Sequence, residues 1–263
     1  MPANKHAGSV IVRIEVRPAG HIAHVTVDNP GKRNALGIAG KQQLAQAFQR
    51  LAQDKLLRVA VLTGSGDRSF IAGADLAEMK DLTAKGAREE HTWTHRACEA
   101  IRTLPVPAIA RINGYCFGAG MEIAASCDMR IGITTARFGM PEVRFGIPSG
   151  MEACLLPQLI GWGKTRELLY TGTTFGAAEA LRIGFLQKTA PAPALREAAR
   201  PWIEAILAAD PAAIRAQKRL IETWIDSGVG AGILASIDAF SAIYQGNAPA
   251  ERMRAFLERK RRK

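Results

Sequence analysis

Short apolar runs of strand length alternate with segments of helical periodicity along the first 190 residues. Apolar side chains recur every three or four positions over residues 38–51 and 87–103, which predicts two helices. Six runs have the length and apolar pattern of strands: residues 10–17, 21–28, 59–63, 108–112, 129–133 and 186–189. Because strands that alternate with helices pair in parallel, the pattern favours an α/β fold with substantial parallel pairing.

The pattern changes at about residue 190. From there to residue 243 the apolar residues follow helical spacing alone, and Pro249 is expected to open a last helix that runs to Arg259. The chain is therefore divided into an α/β core, residues 1–190, and a helical C-terminal region, residues 191–263.

Composition limits the class of protein. The 263 residues are 48% hydrophobic and 22% charged, which is typical of a globular chain, and no apolar run approaches the roughly 20 residues of a membrane-spanning helix. The four cysteines are scattered without a paired spacing, so reduced thiols and a cytoplasmic location are expected. The net charge of +11 is concentrated near the C-terminus, where it suits a helix end or attracts a polyanion.

Three segments carry candidate chemistry. The first, residues 70–76, contains Ala72, Gly73 and Ala74, whose small side chains let a ligand approach the backbone closely. An amide freed at such a turn can stabilise an oxyanion, although an ordinary tight loop with Asp75 at a helix start has the same pattern.

The second segment, residues 113–122, takes a predicted strand through a glycine-rich turn into a helix, with Glu122 in its first turn. Free amides there would stabilise an anion, but Glu122 also suits a helix start without any catalytic task. In the third segment Glu142 lies between Pro141 and Pro148, on a stiff bend that either faces inward or lies at the surface. Two glutamates at one thioester could divide the work, one activating water and the other supplying a proton, if their environments differ.

Taken together and in this order, the three segments resemble the enoyl-CoA hydratase/isomerase (crotonase) superfamily. The resemblance extends over residues 10–259, and residues 29–36 are similar to the coenzyme A loop of that family. It implies an α/β fold in which ββα units form a spiral, followed by a helical trimerisation region. It also implies a homotrimer or a dimer of trimers that binds an acyl-CoA thioester.

The resemblance implies a role for each matching residue. The amides of Ala74 and Ala119 would form the oxyanion hole, and Glu122 and Glu142 would flank a water for syn addition to a 2,3-double bond. Residues expected to hold the coenzyme A portion are Lys32, Arg33, Ala72, Gly73, Ala74, Asp75, Leu76, Gly118 and Ala119, with Phe240, Phe256 and Arg259 from a neighbouring subunit. Coenzyme A is part of the substrate, so no separate cofactor is expected.

Some positions depart from the family pattern. Ala119 stands where glycine is common, and Ala77 where many members carry a lysine near the adenine. Residues 146–152 lack the glycine-rich run that is frequent after the second acid, which leaves the acyl preference and the reaction type open.

Hydration is the main hypothesis, and several alternatives stand beside it. The same two glutamates also suit dehydration, and relatives with an altered acid position act as isomerases or hydrolases. A non-catalytic RNA-binding relative fits the basic tail, but no aromatic-interleaved basic motif accompanies it, so nucleic acid is not an expected partner. His91 and His95 are four residues apart on a predicted helix, but without a third ligand no metal is expected.

Overall fold

The computed structural model describes residues 8–261, without the side chains of Arg259 and Arg261. It contains two β-sheets surrounded by helices. The strands are β1 (Ser9–Arg17), β2 (Gly20–Asp28), β3 (Leu57–Gly64), β4 (Ser69–Ile71), β5 (Ala108–Ile112), β6 (Tyr115–Phe117), β7 (Met129–Ile133), β8 (Arg137–Gly139), β9 (Thr174–Gly176) and β10 (Lys188–Ala190). The helices are α1 (Ile38–Leu51), α2 (Leu76–Met79), α3 (Ala84–Arg102), α4 (Ala119–Ala125), α5 (Leu156–Thr171), α6 (Ala177–Arg182), α7 (Leu195–Ala208), α8 (Pro211–Asp226), α9 (Val229–Ile243) and α10 (Ala248–Arg261).

From β3 to β8, successive strands alternate between the two sheets. The larger sheet has the order β1-β2-β3-β5-β7-β10, and only its β1–β2 hairpin is antiparallel. The smaller sheet has the order β4-β6-β8-β9, in which β9 runs antiparallel to β8. Each of β3, β5 and β7 lies in the larger sheet and is followed by a strand of the smaller sheet and then by helix, so repeated ββα units wind into a spiral.

Burial explains why the central strands are apolar along their whole length. All eight residues of β3 are buried: α7 packs on β3, β5 and β7, and β3 also contacts β4 of the smaller sheet. A parallel strand covered on both faces loses the polar alternation of a half-exposed strand. This confirms the predicted α/β class, and helices α7–α10 confirm the predicted helical C-terminal third.

The smaller sheet was not predicted. Its four strands have three residues each, which is too short for an alternating pattern, and β4 and β6 fall in segments expected to be loops. Helix α3 begins at Ala84 rather than 87, because the hydroxyl of Thr83 accepts a hydrogen bond from the Gly86 amide and caps it there. Helix α4 begins at Ala119, so Glu122 lies in its first turn as predicted.

The C-terminal helices differ from the core in their packing. Helix α9 packs chiefly on α8, and much of its apolar surface is exposed. Within residues 8–261 no helix combines the length and apolar character needed to cross a membrane.

Candidate active site

A cavity of about 500 Å³ opens where the turns that follow β4 and β6 meet. Among its lining residues are most of those singled out in the sequence: Lys32, Ala72, Gly73, Ala74, Asp75, Leu76, Gly118, Ala119, Glu122 and Glu142. The structure therefore brings the three candidate segments and part of the predicted coenzyme A loop to one place.

The turn after β4 forms one wall of the cavity. The Leu36 amide donates to the Gly73 carbonyl at 3.0 Å, and the Asp75 amide donates to the Leu36 carbonyl at 3.2 Å. Between them, the Ala74 amide has no hydrogen-bond acceptor in the described part of the chain. Gly73 adopts a φ of 114°, which only glycine adopts without strain, so the turn can present that amide.

The turn after β6 forms the facing wall. The Gly118 amide donates to the Gly139 carbonyl at 3.0 Å, which ties the turn to the end of β8. Ala119 is the first residue of α4, and its amide, like other first-turn amides, has no intrahelical acceptor. A side chain on Gly120 would overlap the Ile71 carbonyl, so this glycine lets the two walls approach closely. Two unpaired amides, from Ala74 and Ala119, thus belong to residues that line one cavity.

Glu122 lies on the buried face of α4. Its side chain is almost completely buried, and its Oε1 accepts a hydrogen bond from the Ala153 amide at 3.3 Å. Burial, followed by the negative charges of Glu142 and Glu152, raises the pKa of Glu122 to about 8. At neutral pH this carboxyl group therefore carries a proton.

Glu142 approaches the cavity from a more open position. It follows Pro141 at the start of a short 3-10 turn, and its Oε2 accepts a hydrogen bond from the Ser149 hydroxyl at 2.8 Å. Burial raises the pKa of Glu142, and the hydrogen bond from Ser149 acts against that rise. The two carboxyl groups thus occupy unlike environments, as a division between acid and base requires.

The predicted coenzyme A loop is tied to the first wall by charge. The Lys32 ammonium lies 2.5 Å from Oδ2 of Asp75, whose other oxygen accepts from the Ala77 amide and caps α2. Burial alone would raise the pKa of Asp75, but the hydrogen bonds from Lys32 and Ala77 outweigh it and hold that pKa below its ordinary value. Arg33 does not line the cavity; its guanidinium lies over the Tyr115 ring, 5.5 Å from the centroid.

The predicted C-terminal contacts lie elsewhere in the subunit. Phe240 lines a separate cavity of about 430 Å³ between α8, α9 and α10, and Phe256 is exposed on α10. The Arg259 side chain lies outside the described part of the chain. Because these three residues were assigned to the ligand of a neighbouring subunit, their role stays a prediction.

Several cavity residues were not singled out in the sequence, among them Glu90, and neither was Ser149, whose hydroxyl donates a hydrogen bond to Glu142. The sequence contains a signal for Glu90: it precedes Thr94, Ala97 and Ile101 at helical spacing, so a carboxylate lies in the buried stripe of α3. The two histidines contact different carboxylates, His91 near Glu90 and His95 hydrogen-bonded to Glu152 at 2.8 Å. Among residues 8–261 no three potential ligands are grouped so as to hold a metal ion.

Comparison with known proteins gives consistent matches over nearly the whole chain. A family model described as "Enoyl-CoA hydratase/isomerase" matches residues 17–263. A short-chain-enoyl-CoA hydratase of Clostridium acetobutylicum is 31% identical, over 92% of this chain and 93% of the relative. A crotonyl-CoA hydratase of Syntrophomonas wolfei is 33% identical, over 91% and 93%. Among solved structures, an enoyl-CoA hydratase from Bacillus anthracis superposes with a TM-score of 0.89 at 29% identity, covering 94% of this chain and 96% of that one.

Proposed function

Because the chain belongs to the enoyl-CoA hydratase/isomerase family, as the sequence predicted, we propose that it adds water to the 2,3-double bond of a 2-enoyl-CoA thioester. The observation that carries this proposal is the cavity in which Glu122 and Glu142 meet the residues that present two unpaired amides. The named hydratases that match over most of the chain support the same reaction class.

The two amides serve the thioester carbonyl. When water attacks C3 of the enoyl group, the electron pair of the double bond moves toward the thioester and charge develops on its oxygen. The amides of Ala74 and Ala119 donate hydrogen bonds to that oxygen, and such donors are most effective where the surroundings exclude water. Gly73 and Gly118 let the backbone present these amides, and the hydrogen bonds that flank each turn hold it in place before the substrate arrives, so little reorganisation is needed during the reaction.

The two carboxyl groups move the protons. Ionised Glu142 accepts a proton from the attacking water as the C3–O bond forms, and protonated Glu122 donates its proton to C2. The product is a 3-hydroxyacyl-CoA, with Glu122 ionised and Glu142 protonated. Transfer of one proton from Glu142 to Glu122 through the next bound water restores the resting state. A water held between both groups gives syn addition, and the reverse sequence dehydrates the product.

The coenzyme A portion is assigned to the first wall and the neighbouring loop. Backbone groups around Ala72 and Ala74 hold the adenine and pantetheine parts, while the Lys32–Asp75 ion pair fixes the loop beside them. We also assign Phe240, Phe256 and Arg259 to the ligand of the neighbouring subunit in a trimer. Coenzyme A is part of the substrate in this scheme.

The test is a spectrophotometric assay with crotonyl-CoA that follows loss of the conjugated enoyl-thioester absorbance. We expect turnover by the wild-type protein, and a loss of at least about 100-fold in Glu122→Gln and in Glu142→Gln, the usual scale for general acid–base catalysis. Glu99→Gln is the matched control, because Glu99 is exposed on α3 and its carboxylate has no partner within the described residues.

Near-wild-type activity in either active-site variant would remove that glutamate from the mechanism. If the wild-type protein binds coenzyme A esters but leaves crotonyl-CoA unchanged, the hydratase assignment fails for this substrate. A specialised dehydratase, isomerase or hydrolase would then be the next hypothesis.

A further inference from the structure

A buried ion pair adjoins the candidate active site. Lys41 of α1 has no exposed surface, and its ammonium is hydrogen-bonded to Oε1 of Glu90 on α3. Glu90 is itself 4% exposed and lines the catalytic cavity. The mechanism proposed above uses neither residue.

Both charged residues occupy positions that the helical pattern reserves for apolar side chains. Lys41 precedes Leu44 and Phe48 on the buried face of α1, and Glu90 begins the buried stripe of α3. Removing two charges from water costs more than packing two apolar side chains of similar volume, so such a pair is weak support for stability. A role in the adjacent cavity accounts for the pair better than a role in folding.

The ion pair gives the cavity a polar group among apolar ones. Met79, Phe145, Ile147 and Met151 contribute apolar surface to the same cavity. His91, next to Glu90, also lines it, with Nδ1 2.8 Å from Oε2 of Glu90 but not aligned to hydrogen-bond with it. That buried nitrogen therefore has no hydrogen-bond partner within the described residues.

We propose that Glu90 and His91, with Lys41 holding the carboxylate in place, bind a hydroxyl group on the acyl chain of the substrate. This inference rests on the proposed function and names its substrate class, a hydroxylated short-chain 2-enoyl-CoA. A hydroxyl can donate to the second oxygen of Glu90 and pair with His91, whereas an alkyl chain would expel water and make neither hydrogen bond. A carboxylated acyl group would be repelled by Glu90.

Binding of unreactive ligands tests the subsite without turnover. Calorimetry would compare 5-hydroxypentanoyl-CoA with hexanoyl-CoA, two saturated thioesters that differ only by a hydroxyl in place of the terminal methyl. We expect the wild-type protein to bind the hydroxylated ligand at least about tenfold more tightly, the scale of one hydrogen bond to a charged group. The Lys41→Met/Glu90→Leu double variant should prefer hexanoyl-CoA, because its pocket wall becomes apolar at similar volume.

His91→Phe is a second variant, which leaves the Lys41–Glu90 pair intact and changes a partly exposed side chain, so it should fold even if the double variant does not. It should also lose the preference for the hydroxylated ligand. Wild-type protein that binds hexanoyl-CoA as tightly as the hydroxylated ligand overturns the proposal, whatever the variants do.

Turnover separates this inference from the proposed function. The ratio of kcat/KM for 5-hydroxypent-2-enoyl-CoA to that for hex-2-enoyl-CoA should follow the binding preference. If the hydroxylated thioester binds more tightly but neither enoyl-CoA is hydrated, the subsite stands and the hydratase assignment fails. If both are hydrated with equal kcat/KM and bound with equal affinity, the hydratase assignment stands and the subsite fails.

Discussion

Glu122 is a weak acid because of where it lies in the fold. It occupies the first turn of α4, where the helix dipole favours a negative charge. Burial and the neighbouring charges of Glu142 and Glu152 outweigh that effect and raise its pKa to about 8. A group whose pKa is raised on folding keeps its proton in the folded protein while the unfolded chain releases it, and this difference makes stability depend on pH.

We predict that Glu122→Gln stabilises the protein increasingly as the pH rises from about 4.5 to about 8, the unfolded and folded pKa values of this group. Below that pH range the carboxyl group of Glu122 is protonated in both the folded and the unfolded state, so it does not lower the free energy of unfolding through its charge. Within it the unfolded state binds fewer protons, so the free energy of unfolding of the wild-type protein falls. The variant should gain on the order of 1 to 4 kcal/mol over wild type across the window.

Urea unfolding of both proteins at pH 5 and pH 8 measures this gain. The glutamine oxygen can still accept the hydrogen bond from Ala153, so the comparison isolates the charge. A difference in stability that is the same at both pH values would show that Glu122 is not a weak acid in the folded protein.

Among individual residues, the sequence identified those site residues whose role depends on the backbone conformation of a short segment. Ala74, Ala119 and Glu122 lie in short segments whose glycines and order along the chain identify them. Lys41 and Glu90 are 49 residues apart in sequence, and only the packing of α1 on α3 brings them together. Periodicity marks each as a charge in a buried stripe but does not identify its partner.

At the scale of elements, the site depends on turns that join the two sheets. Strands β3 and β5 were predicted, while the three-residue strands β4 and β6 were not, because a pattern of period two needs more residues. These short strands nevertheless hold the turns that present Ala74 and Ala119. The order of the segments along the chain predicted that the two turns meet. The distance between the turns, however, is set by the smaller sheet, which the sequence did not predict.

Gly118, in the turn after β6, cannot carry a side chain without disturbing Glu142. Its φ of 50° and ψ of −123° form a conformation that favours glycine and costs an alanine about 1 to 3 kcal/mol, and an added Cβ would lie 2.5 Å from Oε1 of Glu142. We expect Gly118→Ala to displace that carboxyl group and to lower kcat for crotonyl-CoA at least about tenfold, with a smaller change in the affinity for coenzyme A esters.

Gly163→Ala is the matched control, because no atom lies within 4 Å of a Cβ added there and the residue is helical. It should leave kcat unchanged. If Gly118→Ala keeps the wild-type kcat, turnover does not depend on the position of the Glu142 carboxyl group beside this turn.

At the scale of the whole molecule, the C-terminal helices expose more apolar surface than a lone subunit needs. Eight large apolar side chains on α9 and α10 are each more than half exposed: Val229, Ile233, Leu234, Ile237, Phe240, Met253, Phe256 and Leu257. Contiguous apolar surface of this kind marks an interaction site in soluble proteins. Two identical chains that each carry a net charge of +11 repel one another. We therefore expect the chains to associate through these apolar faces rather than through charge.

We predict that the protein in solution is a trimer or a dimer of trimers held together by this surface. Size-exclusion chromatography with light scattering should give three or six times the mass of the chain, and Ile237→Glu/Phe240→Glu should shift it toward the monomer. Val16→Glu is the control, because Val16 is equally exposed but lies on β1, away from the C-terminal helices.

Oligomeric state and ligand binding are linked in this prediction. Since Phe240 was assigned to the coenzyme A of a neighbouring subunit, dissociation should also weaken binding of coenzyme A esters, although the cavity of each subunit keeps its own lining residues. A wild-type protein that is monomeric at micromolar concentration would contradict the assembly. A trimer whose dissociation leaves the affinity unchanged would instead remove Phe240 from the binding site and leave the coenzyme A portion to residues of a single chain.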